Sequence, residues 1–389
     1  RSIWVTGVQT CALPILSLFT AAEALSRLTA EGLVEARAGS GYYVAARGAP
    51  GSTLQTAPEP LTDSIYGLRA EHSREKGPRI EIDAGCGWLE PAWCDTASVD
   101  RAMRSFARWS TSIPAGYGSA LGLPALRTQL CKQLFSRGIE AHEDQVLLTS
   151  GATQALDLIV RTVLERGDVA IVERPCYPGL LALLRLHGVT PVFVTRTPTG
   201  PNVEELEAAA SRSRASVFFT NSTLHNPTGS TTSAPVAHRT LQIAARHGLT
   251  IVEDDIFWEL SPRPPATLAS LDDLHSVVYV SGFSKSITPA LRVGYMAGNR
   301  ALIESIAATK MASTLNSSAL AEGLALEVLK SAGHRRHLPR LRQRLHDAHE
   351  HLCTSLKRTG FTMFCEPRAG LFLSIWRSEE RRVGKECRS

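Results

Sequence analysis

Lys285 closes the run Ser281-Gly282-Phe283-Ser284-Lys285, and Arg292 follows seven residues on. A lysine amine that can deprotonate in a sheltered site is the group that forms an imine with a carbonyl compound. Upstream lie Val252-Glu253-Asp254-Asp255, the loop His225-Asn226-Pro227-Thr228-Gly229 and the stretch Thr149-Ser150-Gly151-Ala152-Thr153-Gln154. Asp254 ends an apolar strand, where a carboxylate can keep a ring nitrogen protonated and so make that ring an electron sink. Asn226 sits in a rigid turn, its amide placed to bond a ring hydroxyl. Ala152 and Thr153 follow Gly151 at the start of a helix, where free N–H groups and the helix dipole meet a phosphate, with Ser284 and Arg292 closing the same site. Tyr177, set between prolines, offers a ring for stacking. Each residue alone has a plainer role, as a solvated lysine, a strand-end cap, a structural turn, a surface ion pair or a packing aromatic. Their order between Thr149 and Arg292 argues for one site.

Such groups need strands that end together. Apolar runs of strand length, residues 146–149, 169–173, 192–195, 216–220, 250–253, 277–281 and 293–297, alternate with helical segments such as 154–164. That alternation predicts an α/β fold with a mostly parallel central sheet. Beyond Lys310 the pattern turns helical, with a long amphipathic stretch over 338–356. Candidate strands at 361–365 and 371–376 suggest a smaller α+β domain.

The chain has 389 residues, of which 43% are hydrophobic and 20% charged, the balance of a globular protein with a large core. Charged residues and His interrupt every long apolar run, which argues against a membrane span and predicts a cytoplasmic protein. Eight cysteines at unpaired spacings suggest reduced thiols, with neither a disulfide framework nor a metal site. Of the net charge of +5, residues 377–389 supply +2 and Arg1 supplies +1. The remaining +2 points to no particular partner.

Ahead of the α/β region, residues 17–30 read as a helix capped by Ser17 and stopped by Gly32, and 33–44 read as a hairpin. Helix then hairpin is the second half of a winged helix-turn-helix, here 17–47. Residues 48–78 read as a linker. Residues 1–16 and 377–389 resemble translated read-through and are set aside from fold reasoning.

With these motifs in place, residues 79–376 resemble the aminotransferase fold of type I pyridoxal-phosphate enzymes, and the whole resembles MocR-type regulators of the GntR family. The resemblance implies a large cofactor-binding domain over 79–315, in which 79–95 packs with a small domain at 316–376 that the tail cuts short. It implies pyridoxal 5'-phosphate as cofactor, Lys285 as the Schiff-base lysine, Asp254 on the pyridine nitrogen, Asn226 on the ring oxygen and Tyr177 stacked on the ring. The phosphate falls to Ala152, Thr153, Ser284 and Arg292, and Tyr117 extends to the phosphate of the neighbouring subunit of a homodimer.

The chain also departs from the family pattern. Ile256 and Phe257 stand where a tyrosine usually bonds the ring oxygen, and Gly282 replaces a common serine, leaving Ser281 and Ser284 to compensate. The arginine for a substrate carboxylate belongs beyond Trp376. Leu18 and Phe19 stand where the winged helix usually has an arginine, and its two preceding helices are missing. Arg27 and Arg37 remain as phosphate contacts. The reading is a cofactor- or amine-sensing regulator that binds an operator as a dimer. The alternative is an aminotransferase that exchanges amino groups between an amino acid and a 2-oxo acid, and a scaffold that has lost its cofactor is the least favoured.

Overall fold

This computed structural model describes residues 18–31, 33–37, 41–44, 87–109, 117–367 and 369–376. The expectations about Ser17, Gly32, residues 48–86 and both terminal segments lie outside them. The chain divides into two compact units, Arg1–Pro60 and Leu61–Ser389.

The first unit contains α1 (Leu18–Ala30) and the strands β1 (Val34–Arg37) and β2 (Gly41–Val44). The strands pair antiparallel, Val34 opposite Val44 and Arg37 opposite Gly41, in the hairpin the sequence suggests.

In the second unit, α2 (Thr96–Trp109) and α3 (Pro124–Ser136) precede a sheet of eight strands: β3 (Val146–Thr149), β4 (Val169–Arg174), β5 (Thr190–Thr197), β6 (Gly200–Pro201), β7 (Val217–Thr220), β8 (Thr250–Asp254), β9 (Val277–Gly282) and β10 (Gly294–Ala297). Their order is β3-β10-β9-β8-β7-β4-β5-β6. The inner strands run parallel, whereas β10 is antiparallel to both β3 and β9. Both faces of the sheet are buried, which explains why the strands read as continuous apolar runs. Leu148, Ile171, Phe218, Ile251 and Tyr279 face one cluster. It is covered by α3, by α6 (Val203–Arg212), α7 (Ala234–His247), α8 (Leu268–Asp272) and α10 (Ala319–Lys330). The alternate residues Leu147, Val172, Phe219, Val252 and Val278 face another. That cluster lies under α4 (Ala152–Val163), α5 (Pro178–His187) and α9 (Arg300–Thr314).

The long C-terminal helix α11 runs from Ala332 to Arg358, six residues earlier than the amphipathic pattern suggests. Ser331 caps it by accepting from the His334 N–H at 3.1 Å, and the helix continues through Pro339. Pro339 has no N–H to donate to the Arg335 carbonyl, and both residues are exposed. The final strands, β11 (Thr362–Met363) and β12 (Ile375–Trp376), are shorter than predicted. Leu341 and Leu345 of α11 join Phe257, Leu260 and Ala369 in a third cluster that also takes in Leu89, Trp93 and Phe372.

Candidate active site

The C-terminal ends of β3, β4, β7, β8 and β9 open onto one cavity of about 550 Å³, the position at which open α/β sheets bind ligands. Ala152, Thr153, Tyr177, Asn226, Asp254, Ser284, Lys285 and Arg292 all line it, joined by Trp88, Leu156, Ile256, Phe257 and Pro289. Sequence reasoning therefore brought eight residues from five segments to one place. Tyr117 is outside the cavity wall and 86% exposed. Arg27 pairs with Glu23 across one turn of α1 at 3.1 Å, and Arg37 ends β1 with its side chain outside the described residues.

One end of the cavity could hold an anion. Gly151, at φ +92°, precedes α4 without a side-chain cap, which leaves the first-turn N–H groups facing outward. A Cβ on Gly151 would lie 2.7 Å from Arg292 Nη2, and one on Gly294 would lie 2.5 Å from the Gly151 carbonyl carbon. Two glycines thus allow the guanidinium and the antiparallel strand β10 to close against the turn. Arg292 adopts φ +51° and donates from Nη2 to the Ser150 carbonyl at 3.2 Å, its side chain fixed over the helix start. Ser284 also lines the cavity. Ser281, expected to share this task, is fully buried and donates to the Asp255 carbonyl at 3.1 Å. It lies one position before Gly282, whose missing Cβ lets β9 approach β10.

The other end presents Asp254, the last residue of β8. Its carboxylate accepts the Ile256 N–H at 3.2 Å. Burial pushes its pKa up to about 7, aided by Asp255 and opposed by that N–H and by Lys285. The neighbours Glu253 and Asp255 project to the opposite face of the strand. Asp255 is held there by Arg137 Nη2 and the Tyr279 hydroxyl, each at 3.0 Å. Glu253 accepts the Leu268 and Ala269 N–H groups at 2.9 Å, and burial with Asp255 beside it raises it to about 7. The backbone that aims Asp254 is therefore anchored on both sides.

Asn226 is held by a network that the sequence did not disclose. Asn221 accepts the Asn226 N–H through Oδ1 at 2.6 Å and donates through Nδ2 to the Asp254 carbonyl. Glu173 accepts the Asn221 N–H at 3.1 Å and pairs with Arg196 at 2.7 Å and His225 at 3.3 Å. Burial alone would raise Glu173, but Arg196 and His225 outweigh it and bring it down to about 2. Burial keeps His225 below its usual value, with Glu173 opposing the shift.

Between the two ends, Lys285 Nζ donates to the Gly87 carbonyl at 2.6 Å and lies 5.7 Å from the Phe257 ring centroid. Phe257 is buried and meets Phe372 edge-on, with centroids 5.3 Å apart. An apolar ring is thus the neighbour of the amine where the family pattern has a phenol. Trp88 was missed because no local motif marks it; it enters the wall next to Gly87, whose Cβ would strike Phe372 at 2.4 Å.

These residues suit a phosphorylated pyridine carbonyl compound, with a glycine-lined anion cradle at one end, a partly buried carboxyl at the other and an amine between. Comparison with known proteins agrees with that geometry. The model of aminotransferase class I and II matches residues 94–386. An uncharacterised HTH-type transcriptional regulator of Bacillus subtilis, YisV, is 28% identical over 352 residues, covering 87% of this chain and 72% of its own. A 2-aminoadipate transaminase of Thermus thermophilus is 30% identical over 245 residues, 61% of each chain. Among solved structures, alpha-aminoadipate aminotransferase LysN of Thermus thermophilus, complexed with N-(5'-phosphopyridoxyl)-L-leucine, superposes with a TM-score of 0.68 at 25% identity. That likeness covers 75% of this chain and 78% of LysN.

Proposed function

Because this chain belongs to the class I and II aminotransferase family, we propose that it is a pyridoxal-phosphate-binding transcription regulator of the MocR type, whose aminotransferase-like domain senses the cofactor or an amine. One observation carries the regulator reading over the enzymatic one. The similarity to the HTH-type regulator spans 87% of the chain, more than residues 94–386 can supply, and so reaches into the segment that precedes the aminotransferase region. A metabolic transaminase has no need of the helix and hairpin of the first unit.

When bound, pyridoxal phosphate supplies an electrophilic carbonyl and a ring that withdraws electrons from an attached amine. The residues around it bind and orient. The N–H groups of Ala152 and Thr153, with Ser284 and Arg292, would hold the phosphate; Asp254 would keep a proton at the ring nitrogen; Asn226 would bond the ring oxygen; Tyr177 would lie against the ring. Lys285 Nζ would supply the amine and, as a base on the cavity wall, could take up and return a proton there. With Phe257 at its side, no phenol assists at the ring oxygen. A homodimer in which Tyr117 reaches the partner's phosphate completes the site. The exposure of Tyr117 and of Met311 and Leu315 supports it, since a lone subunit gains nothing from apolar groups left in water.

The transaminase reading keeps a place because Lys285, Asp254 and Asn226 are all present at the cavity. One experiment separates the two. Purified protein is loaded with cofactor, and duplex DNA from its own upstream region is titrated with and without candidate amino acids, while a second 2-oxo acid is supplied as amino acceptor and the 2-oxo acid formed from the donor is followed in parallel. Cofactor-dependent DNA retention is the expected result. Steady 2-oxo acid production without DNA binding would sink the regulator reading.

A further inference from the structure

The first half of α11 carries Arg335, Arg336, Arg340, Arg342 and Arg344 and no carboxylate. Arg342 is turned inward, donating to the Glu259 carbonyl at 2.7 Å. The other four are exposed. Arg336, Arg340 and Arg344 recur every four residues and so form one stripe, advancing about 6 Å per step along the axis. Arg335 is steadied by the Lys330 carbonyl at 2.9 Å, and Arg344 lies 6.0 Å from the centre of the Trp93 ring. Arg101 of α2 adds to the same surface, since its Nη2 would be 2.2 Å from a Cβ on Gly333 at the start of α11. Among the described residues, neither Arg336 nor Arg340 has a carboxylate partner.

This concentration is uneven. The whole chain has a net charge of only +5, so a stripe of exposed guanidinium groups on one helix stands out against a nearly neutral background. A row of charges without carboxylate partners among the described residues fits a linear polyanion better than a small ligand, because the groups are exposed and repeat along a line. Arginine suits phosphate in particular, as a planar fork that stays charged at every accessible pH.

We infer that the exposed arginine stripe of α11 is a second DNA-contacting surface, which grips phosphates without reading bases and adds to whatever the first unit binds. The inference rests on the regulator reading. Phosphate contacts of this kind release counterions, and their number is read from the salt dependence of binding.

The test measures binding of the cofactor-loaded chain to labelled duplex DNA of mixed sequence by fluorescence anisotropy between about 50 and 200 mM salt. The variants are Arg336→Glu with Arg340→Glu, and separately Arg27→Glu in α1. Loss of two phosphate contacts should reduce the slope of log K against log salt by about 1.8. The double variant should also bind about tenfold more weakly at the low-salt end. The matching pair Arg336→Gln with Arg340→Gln, which keeps size and helix propensity, should show the same direction if the charge reversal harms folding. Wild-type binding with a slope unchanged in both double variants overturns the stripe and leaves the regulator reading standing. Absence of DNA binding by the wild type overturns both. Capture of an acidic polypeptide such as polyglutamate by the stripe, with the DNA slope unchanged, also overturns it.

Discussion

At the scale of single residues, the site depends on how burial handles charge. Asp254 has a folded-state pKa of about 7 because burial penalises the carboxylate. In the unfolded chain it releases its proton near pH 3.9, so between about 4 and 7 the folded state holds a proton that the unfolded state has lost, and stability falls as pH rises through that window. Asp254→Asn removes this contribution. The stability difference between the wild type and the variant, from denaturant melts of the cofactor-free protein, should drop by about 2 kcal/mol from pH 5 to 7 and stay level above that. A difference that is flat from pH 5 upward would show that Asp254 is not the titrating group. Gly151 tests the anion end. An alanine there meets a positive φ with an extended ψ, a region nearly reserved for glycine, and pushes on the Arg292 guanidinium, at a cost of about 1–3 kcal/mol. Calorimetric titration of Gly151→Ala with pyridoxal phosphate, or with inorganic phosphate as a simpler probe, should therefore show affinity down by about tenfold. Retained phosphate affinity would remove this turn from the site.

At the scale of elements, what matters is which loops are tied to which. Lys310, fully buried on α9, donates to the carbonyls of Ala120 and Leu148 at 2.8 Å each. Ala120 belongs to the loop after Tyr117, and Leu148 belongs to the strand that delivers Gly151, so one amine fastens both approaches to the anion end. Burial lowers Lys310 to about 8, with Glu322 opposing the shift. Above that pH the folded state has shed a proton the unfolded chain keeps until about 10.4, so stability gains from this group as pH rises from 8 to 10. Lys310→Met strands two buried carbonyls and should cost about 2 kcal/mol at neutral pH. The variant should also lose the rise in stability above pH 8. Thermal melts from pH 7 to 10 decide it, and an unchanged profile would relieve Lys310 of this role. No local pattern reveals Lys310, because its partners lie far away in sequence. Lys285, Asp254 and Gly151 were legible for the opposite reason: each ends an apolar run at a turn, so strand, residue and turn can be read in one window. The network of Glu173, Arg196 and His225 needs β4, β5 and β7 as neighbours, and strand order is not written in any one of them. The early start of α11 was hidden by Gly333 and Pro339, both of which read locally as breakers, whereas the Ser331 cap and an exposed proline ring allow the helix to run on.

At the scale of the whole molecule, the position of Tyr117 makes the strongest claim. A phenol 86% exposed, in a loop that Lys310 ties down at Ala120, yet absent from the cavity wall, is badly placed to serve its own subunit. If it serves the partner's phosphate, function belongs to the pair of chains, and two defective chains can restore a site. Lys285→Ala removes the amine while leaving Tyr117; Tyr117→Ala removes the phenol while leaving Lys285. In a mixed dimer, the subunit that keeps Lys285 receives Tyr117 from its neighbour and is whole, while the other site lacks both. Co-expressed chains with different affinity tags, purified through both tags, should therefore retain cofactor tightly at one site per dimer. Borohydride reduction should fix that cofactor only to the chain carrying Tyr117→Ala. Neither homodimer should do the same, since the Lys285→Ala pair has no amine and the Tyr117→Ala pair holds the phosphate weakly. Tight retention by the Tyr117→Ala homodimer would mean that each subunit completes its own site and that the exposed tyrosine serves something else.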